Sequence, residues 1–355
     1  MTLNPKKLRQ KAHELALTDD SRISRRSSKR FFQEFHKDID KIKHFVTSLQ
    51  ESSASCSQPA EQWLLDNAGF ILEQSLTLRE QLGNHLLNRL PQLRKSRVPR
   101  LLPICTEYVA QTDGELNSDS LICYLRSYQE ISVLTIAELW ALPLFIRIAL
   151  LRRLAEIVEH IRERREVCLF VEQLLSKIKP FQSDPAALNA VLENAGLTMP
   201  LSGPLIVHLV SHLREWEDDI AAVREWLMCK LENGTDSLDQ IQSYEYQLQA
   251  DYQVQTGNLI GSLRKVERWN WHEIFEQISL VDHVLRKERS GLYPQLDHTS
   301  RDVLRKRVER LARRFRVPEN TVAEQAVELA AKEFAKVCEA CRSDELPRRV
   351  FAAYY

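Results

Sequence analysis

Thr135–Arg165 reads TIAELWALPLFIRIALLRRLAEIVEHIRERR, and this stretch decides the fold class. Thr135 stands three residues before Glu138, the spacing of a reciprocal N-terminal cap. Behind it, apolar residues recur every three or four positions, as one face of a helix requires. Pro143 lacks an N–H and is expected to kink this helix rather than end it. The predicted helix runs to about Arg165.

The same periodicity extends to both sides. Lys29–Leu49 places Phe32, Phe35, Ile39, Ile42 and Phe45 on one face. Further helices are predicted over 61–90 (one or a pair, ended by Pro91), 101–110, 119–132, 167–178, 184–195, 205–232, 237–255, 258–266, 271–287, 300–315 and 319–340. Thr112-Asp113-Gly114 marks a turn, because Gly adopts positive φ without steric cost. Glycine is scarce, with 9 in 355 residues, and alternating β-branched runs are hard to find. The expectation is an all-α protein, a multi-helix bundle of stacked helical hairpins in two lobes. Residues 1–55 form a basic arm and first helix, 56–199 one lobe and 200–355 the other, with Pro200–Pro204 at the boundary. No clean period calls for a solenoid.

Lys+Arg and Asp+Glu both number 49. A balanced charge argues against a dedicated nucleic-acid binder, whose affinity rests on excess cations facing phosphates. The basic residues are unevenly spread, and five of them fall in Arg22–Arg30. Such a cluster suits a solvated tail first and an anionic membrane surface second. The seven cysteines follow no framework spacing, which predicts reduced thiols and a reducing, cytoplasmic compartment. MTLNPKKLRQ at the start has no apolar core of a signal peptide. The most apolar run, Leu139–Ile146, is far short of the ~20 residues a membrane span needs.

Candidate chemistry is thin. The adjacent carboxylates Asp19-Asp20 and Asp218-Asp219 fit helix caps or solvated faces better than a metal site. Cys338 and Cys341 form a CxxC without two further ligands at zinc spacing, and read as packed thiols. His208 and His212 share a helix face at i and i+4, but Leu209 stands where the HExxH pattern has Glu. GxGxxG, GxxxxGK[ST] and GxSxG are all absent from the sequence. Neither a catalytic residue, a metal site nor a cofactor is therefore expected in this chain. Trp63 and Trp140 lie in apolar helical faces and read as core. Trp269 and Trp271 flank Asn270 just before a helix and are the better candidates to stack on a sugar.

Six ordered strings carry a resemblance to a known family. They are Glu61–Gln74 (EQWLLDNAGFILEQ), Thr112-Asp113-Gly114 with Leu116, and Leu134–Pro143 (LTIAELWALP) followed by Arg147, Leu150 and Leu151. Asn258–Arg264 (NLIGSLR) comes next. The fifth runs from Trp271 through Ser279-Leu280-Val281 and Val284-Leu285-Arg286 to Gly291-Leu292-Tyr293. The last is Leu296-Asp297, Thr299, Arg301-Asp302 and Arg305, leading to Val308-Glu309. In order and spacing they resemble the segment of cyclic β-1,2-glucan synthases that precedes the membrane-embedded glycosyltransferase.

Members of that family polymerise glucose from UDP-glucose and cyclise the product. The resemblance covers about residues 60–315 and reaches none of the transferase or membrane segments. It implies an accessory helical domain, either a piece of a longer synthase or a stand-alone relative, on the cytosolic side of the inner membrane. Its implied partners are the catalytic domains of the synthase, in cis or in trans, and β-1,2-glucan itself. Within the strings, Asp66, Asn67, Glu138, Asn258, Arg264, Glu276, Asp282, Arg301 and Asp302 are polar residues among apolar neighbours. They fit buried pairs that tie helices together, or a polar groove that touches glucan or docks the catalytic domain.

Overall fold

A computed structural model describes residues 5–23, 29–51, 58–181, 202–213 and 238–340, together with 190, 191 and 194. Its helices, labelled in chain order, are α1 (Pro5–Leu17), α2 (Lys29–Glu51), α3 (Pro59–Asp66), α4 (Ala68–Gln81), α5 (Asn84–Leu87), α6 (Leu101–Gln111), α7 (Ser118–Gln129) and α8 (Ile136–Ile178). Then follow α9 (Gly203–Leu213), α10 (Leu238–Arg268), α11 (Trp271–Ile278), α12 (Leu280–Leu285), α13 (His298–Phe315) and α14 (Glu319–Ala340). The strands among the described residues are two residues long: β1 (Arg22–Ile23) pairs antiparallel with β2 (Pro91–Gln92), Arg22 opposite Gln92. The protein is all-α. Among the described residues no helix is long and apolar enough to cross a membrane.

Thr135 and Glu138 form the expected cap. The Thr135 N–H donates to Glu138 Oε2 at 2.8 Å, and the Glu138 N–H donates to Thr135 Oγ1 at 3.3 Å. Beyond Arg165 the chain holds no Gly or Pro until Pro180, so nothing stops α8. It continues through Val167–Ile178 as one helix, where the sequence predicts a break. A second predicted break, at Thr256-Gly257, is also bridged. α10 runs through it with Thr256 fully buried and Gly257 facing the Trp63 indole, 3.8 Å from where a Cβ would stand. Conversely, the predicted helix 271–287 divides at Ser279. That residue ends α11 and caps α12, its hydroxyl accepting from the Asp282 N–H at 3.2 Å. In α2 the buried face is led by Phe31, with Phe32 only half-buried.

The described chain divides into two compact units that interleave in sequence, unlike the chain-order lobes split at residue 200. The first comprises residues 1–34, 76–150 and 261–355, the second 35–75 and 151–260. The divisions fall inside α2, α4, α8 and α10.

In the first unit, α1 packs on α6 and α7, α11 on α7, and α14 on α12 and α13. Its core is aliphatic and aromatic, with Leu101, Tyr108, Tyr124, Leu142, Phe145 and Phe275 almost wholly buried. Phe31 stacks on Phe145 with centroids 6.0 Å apart. The Thr112–Gly114 turn forms as expected, with Asp113 at φ 48° and Gly114 at φ 75°. Ser262 on α10 fastens it, donating to the Gly114 carbonyl at 2.7 Å and accepting from the Leu116 N–H at 3.0 Å.

In the second unit, Ile39, Ile42, Phe45, Leu64, Ile71, Leu154, Ile157, Ile161 and Leu259 form the core. Arg165 reaches Glu61 at 2.8 Å, and Arg164 pairs with Glu245. A Cβ on Gly203 would stand 2.5 Å from a Glu245 carboxylate oxygen, so a larger residue there would have to displace that side chain from its pair with Arg164. Cys105 and Cys123 are free thiols. Cys168 is disulfide-bonded, a departure from the expected set of reduced thiols, because spacing along a chain does not fix which thiols meet in space.

Candidate functional site

The N-terminal turns of α8 hold two contrasting environments in the first unit, only two residues apart. Glu138 faces a buried ion network, whose outer members Asp19, Arg100 and Tyr128 line a cavity of about 250 Å³. Trp140 faces an open cleft.

Arg100, just before α6, is the centre of the network. Its Nε and Nη2 grip the two Glu138 oxygens at 2.6 and 2.7 Å. Nη1 donates to Asp19 at 2.6 Å and Ser132 Oγ at 3.0 Å, and Nη2 also donates to the Val133 carbonyl at 2.6 Å. All five guanidinium hydrogens thereby have acceptors. Tyr128 Oη and Ser132 Oγ donate to the same Asp19 oxygen. Burial alone would raise the Asp19 carboxyl, but hydrogen bonds from Ser132 and Ser21 and the Arg100 charge hold it well below the usual carboxylate range. Glu319, at the start of α14, joins from the other side, with Oε2 accepting the Ile136 N–H at 2.7 Å. Burial, with Glu309 and Glu138 near by, pushes its carboxyl up to about 7.

A second network surrounds Arg305 on α13. Its Nε donates to Asp282 Oδ1 at 3.1 Å, Nη1 to Asp302 at 2.8 Å and Nη2 to Glu276 at 3.2 Å. Tyr293 Oη donates to the same Asp282 oxygen at 2.7 Å, and Arg286 Nε holds the other at 2.6 Å. Burial opposes ionisation of Asp282, yet hydrogen bonds from Tyr293, Arg286 and Arg305 keep its carboxyl below its ordinary value. Arg301 and His298 also reach Glu276, at 3.1 and 3.0 Å.

The cleft lies beside the second network, whose Asp302 lines it, and encloses about 460 Å³, within the ~300–1,000 Å³ typical of ligand sites. Trp140, Ala137, Ala141 and Leu144 of α8 supply its apolar wall with Leu86, while Gln81, Arg89, His272, Asp302, Lys306 and Glu309 supply polar groups. Trp140 is held in place from behind. Phe275 stacks on it at 4.6 Å and 19°, Arg305 lies over the Phe275 ring at 4.8 Å, and the His272 edge meets Trp140 at 5.3 Å. Arg89 Nη2 donates to Glu309 at 2.6 Å, while its Nε is buried without a hydrogen-bond partner.

The residues singled out from the sequence are scattered by comparison. Glu138, Arg301 and Asp302 belong to the networks, and Asp302 also lines the cleft. Trp269 and Trp271 tilt against each other at 5.5 Å, and the Trp271 indole N–H donates to the Val266 carbonyl at 2.9 Å, closing the end of α10. In the second unit, Asp66 is exposed and accepts from Gln62 at 2.7 Å. Asn67 caps α3 through the Trp63 carbonyl at 2.8 Å. Asn258 is half-buried and Arg264 exposed, both on α10.

His208 is half-buried on α9, and its Nε2 has no hydrogen-bond partner. Burial, then His212 and Arg164, lower its pKa. Among the described residues no group of three or more His, Cys, Asp or Glu side chains is placed to hold a metal ion. Asp218-Asp219, Trp216, Trp226 and Cys341 lie outside the described residues, as do the side chain of Cys338 and most of the Arg22–Arg30 cluster.

Beyond Asp302, sequence reasoning missed Trp140, Lys306 and Glu309 as members of this cleft. Asp302, Lys306 and Glu309 recur at i, i+4 and i+7, one polar stripe on a helix. Trp140 was placed in the core because its neighbours are apolar.

No protein-family model matches the chain. A curated relative does: the cyclic beta-(1,2)-glucan synthase NdvB of Rhizobium meliloti (strain 1021), 30% identical over 303 residues, 84% of this chain. The match covers 10% of that much longer protein. The ordered strings thus reflect kinship, and the chain is a relative of one segment of the cyclic β-1,2-glucan synthases.

Proposed function

We propose that this chain is an accessory helical module of cyclic β-1,2-glucan synthesis, corresponding to the region before the glycosyltransferase. The observation that carries this is the kinship over 303 residues with a synthase of that name. The module's work is recognition and packing. Buried ion networks fix the helices of the first unit against one another, and a firmly packed unit can hold catalytic domains in place. Those domains, in the same polypeptide or a separate one, are its partners. The module works in the cytoplasm, at the inner membrane's cytosolic face when joined to a full synthase. The basic cluster Arg22–Arg30 then adds attraction to anionic lipid of about 1 kcal/mol per cation.

Affinity purification of the tagged chain from cells making cyclic β-1,2-glucan tests this. Recovery of the glycosyltransferase polypeptide, or of one product carrying both, is expected. Recovery of the chain alone, at the 41.3 kDa of this sequence, contradicts the reading.

A further inference from the structure

We infer that the Trp140 cleft is a binding site for a neutral β-linked glucose oligomer. The inference rests on the accessory reading for the identity of the sugar, and on the cleft for its place. A pyranose ring offers an apolar C–H face and a belt of hydroxyls that both donate and accept. The cleft answers both. Trp140, backed by Phe275, gives a fixed aromatic surface beside Ala137, Ala141 and Leu144.

The rim holds cations and carboxylates in balance: Arg89 and Lys306 against Asp302 and Glu309. A phosphate or nucleotide diphosphate would call for an excess of cations, so a neutral polyol fits better. The Lys306 ammonium, on an exposed side chain at the rim, is a donor that a ligand hydroxyl can reach. A preformed aromatic anchor loses little entropy on binding, and the ion pairs behind it fix its orientation.

Titration of the full chain with linear β-1,2-linked glucose oligomers, followed by calorimetry and by chemical shifts of labelled tryptophan, tests the site. Saturable binding is expected, weakened about tenfold by Trp140→Leu, the loss typical of a central aromatic anchor. Lys306→Ala and Gln81→Ala, on exposed side chains, are expected to weaken it severalfold with the circular dichroism unchanged. These two decide the matter if Trp140→Leu unfolds. No saturable binding at millimolar oligomer overturns the site, and so does equal affinity in all variants. Neither result touches the accessory reading, which stands or falls on recovery of the transferase.

Discussion

Glu138 and Trp140 sit on one turn of one helix, yet their surroundings differ in kind. Around Glu138 every guanidinium hydrogen of Arg100 has an acceptor, and Glu138 itself is fully buried. Around Trp140 the wall is half-open, polar groups line a cavity, and a buried Arg89 N–H goes unmatched. A saturated network has nothing left to offer a ligand. Trp140 instead presents an aromatic surface to an open cleft. The difference teaches that buried charge here ties helices together, while the neighbouring open surface is where the proposed binding would fall.

Four perturbations break or sharpen this contrast. The largest effect is expected from Glu138→Ala, which takes the bidentate partner from a buried Arg100 and leaves it only Asp19 as a counter-charge. Loss of a partner from a buried pair costs about 3–5 kcal/mol, read as a shift in the denaturation midpoint. A loss below about 1 kcal/mol would place Glu138 on the binding side instead.

Next comes Glu319. Its folded carboxyl, raised to about 7 from an ordinary 4.5, contributes stability that is complete below the unfolded value. That stability is lost as pH rises through the folded one. Stability is therefore expected to fall between about pH 4.5 and 7, by about 3 kcal/mol. Glu319→Gln should flatten that slope. An unchanged slope would remove Glu319 from the buried network.

Tyr293→Phe takes one hydrogen bond from the buried Asp282 and should cost about 1–2 kcal/mol in denaturant unfolding. Lys306→Ala, on the cleft rim, should change stability by no more than about 0.5 kcal/mol. A larger loss would mean that the cleft, too, is structural.

Much of the fold was legible because helices announce themselves locally. The Thr135–Glu138 cap, the Asp113-Gly114 turn and the start of α14 all follow from neighbours in sequence. Errors arose where tertiary packing outweighed local signals. Gly257 fails to break α10 where the helix packs against Trp63, and Ser279 divides α11 from α12 because its hydroxyl serves as a cap. The site was less legible. Glu138 and Asp282 stood out as polar residues in apolar surroundings, but their partners Arg100 and Arg305 lie 38 and 23 residues away. No local pattern joins them. Trp140 looks like core from its helix alone, since its exposure depends on what α11 and α13 leave uncovered.

The most direct test of the central claim is the glucan itself. The segment matching this chain would be deleted from the synthase, and the yield and ring size of cyclic β-1,2-glucan measured by mass spectrometry. A lower yield or a shifted ring-size distribution is the predicted result. Unchanged yield and unchanged rings would contradict an accessory role in the synthesis.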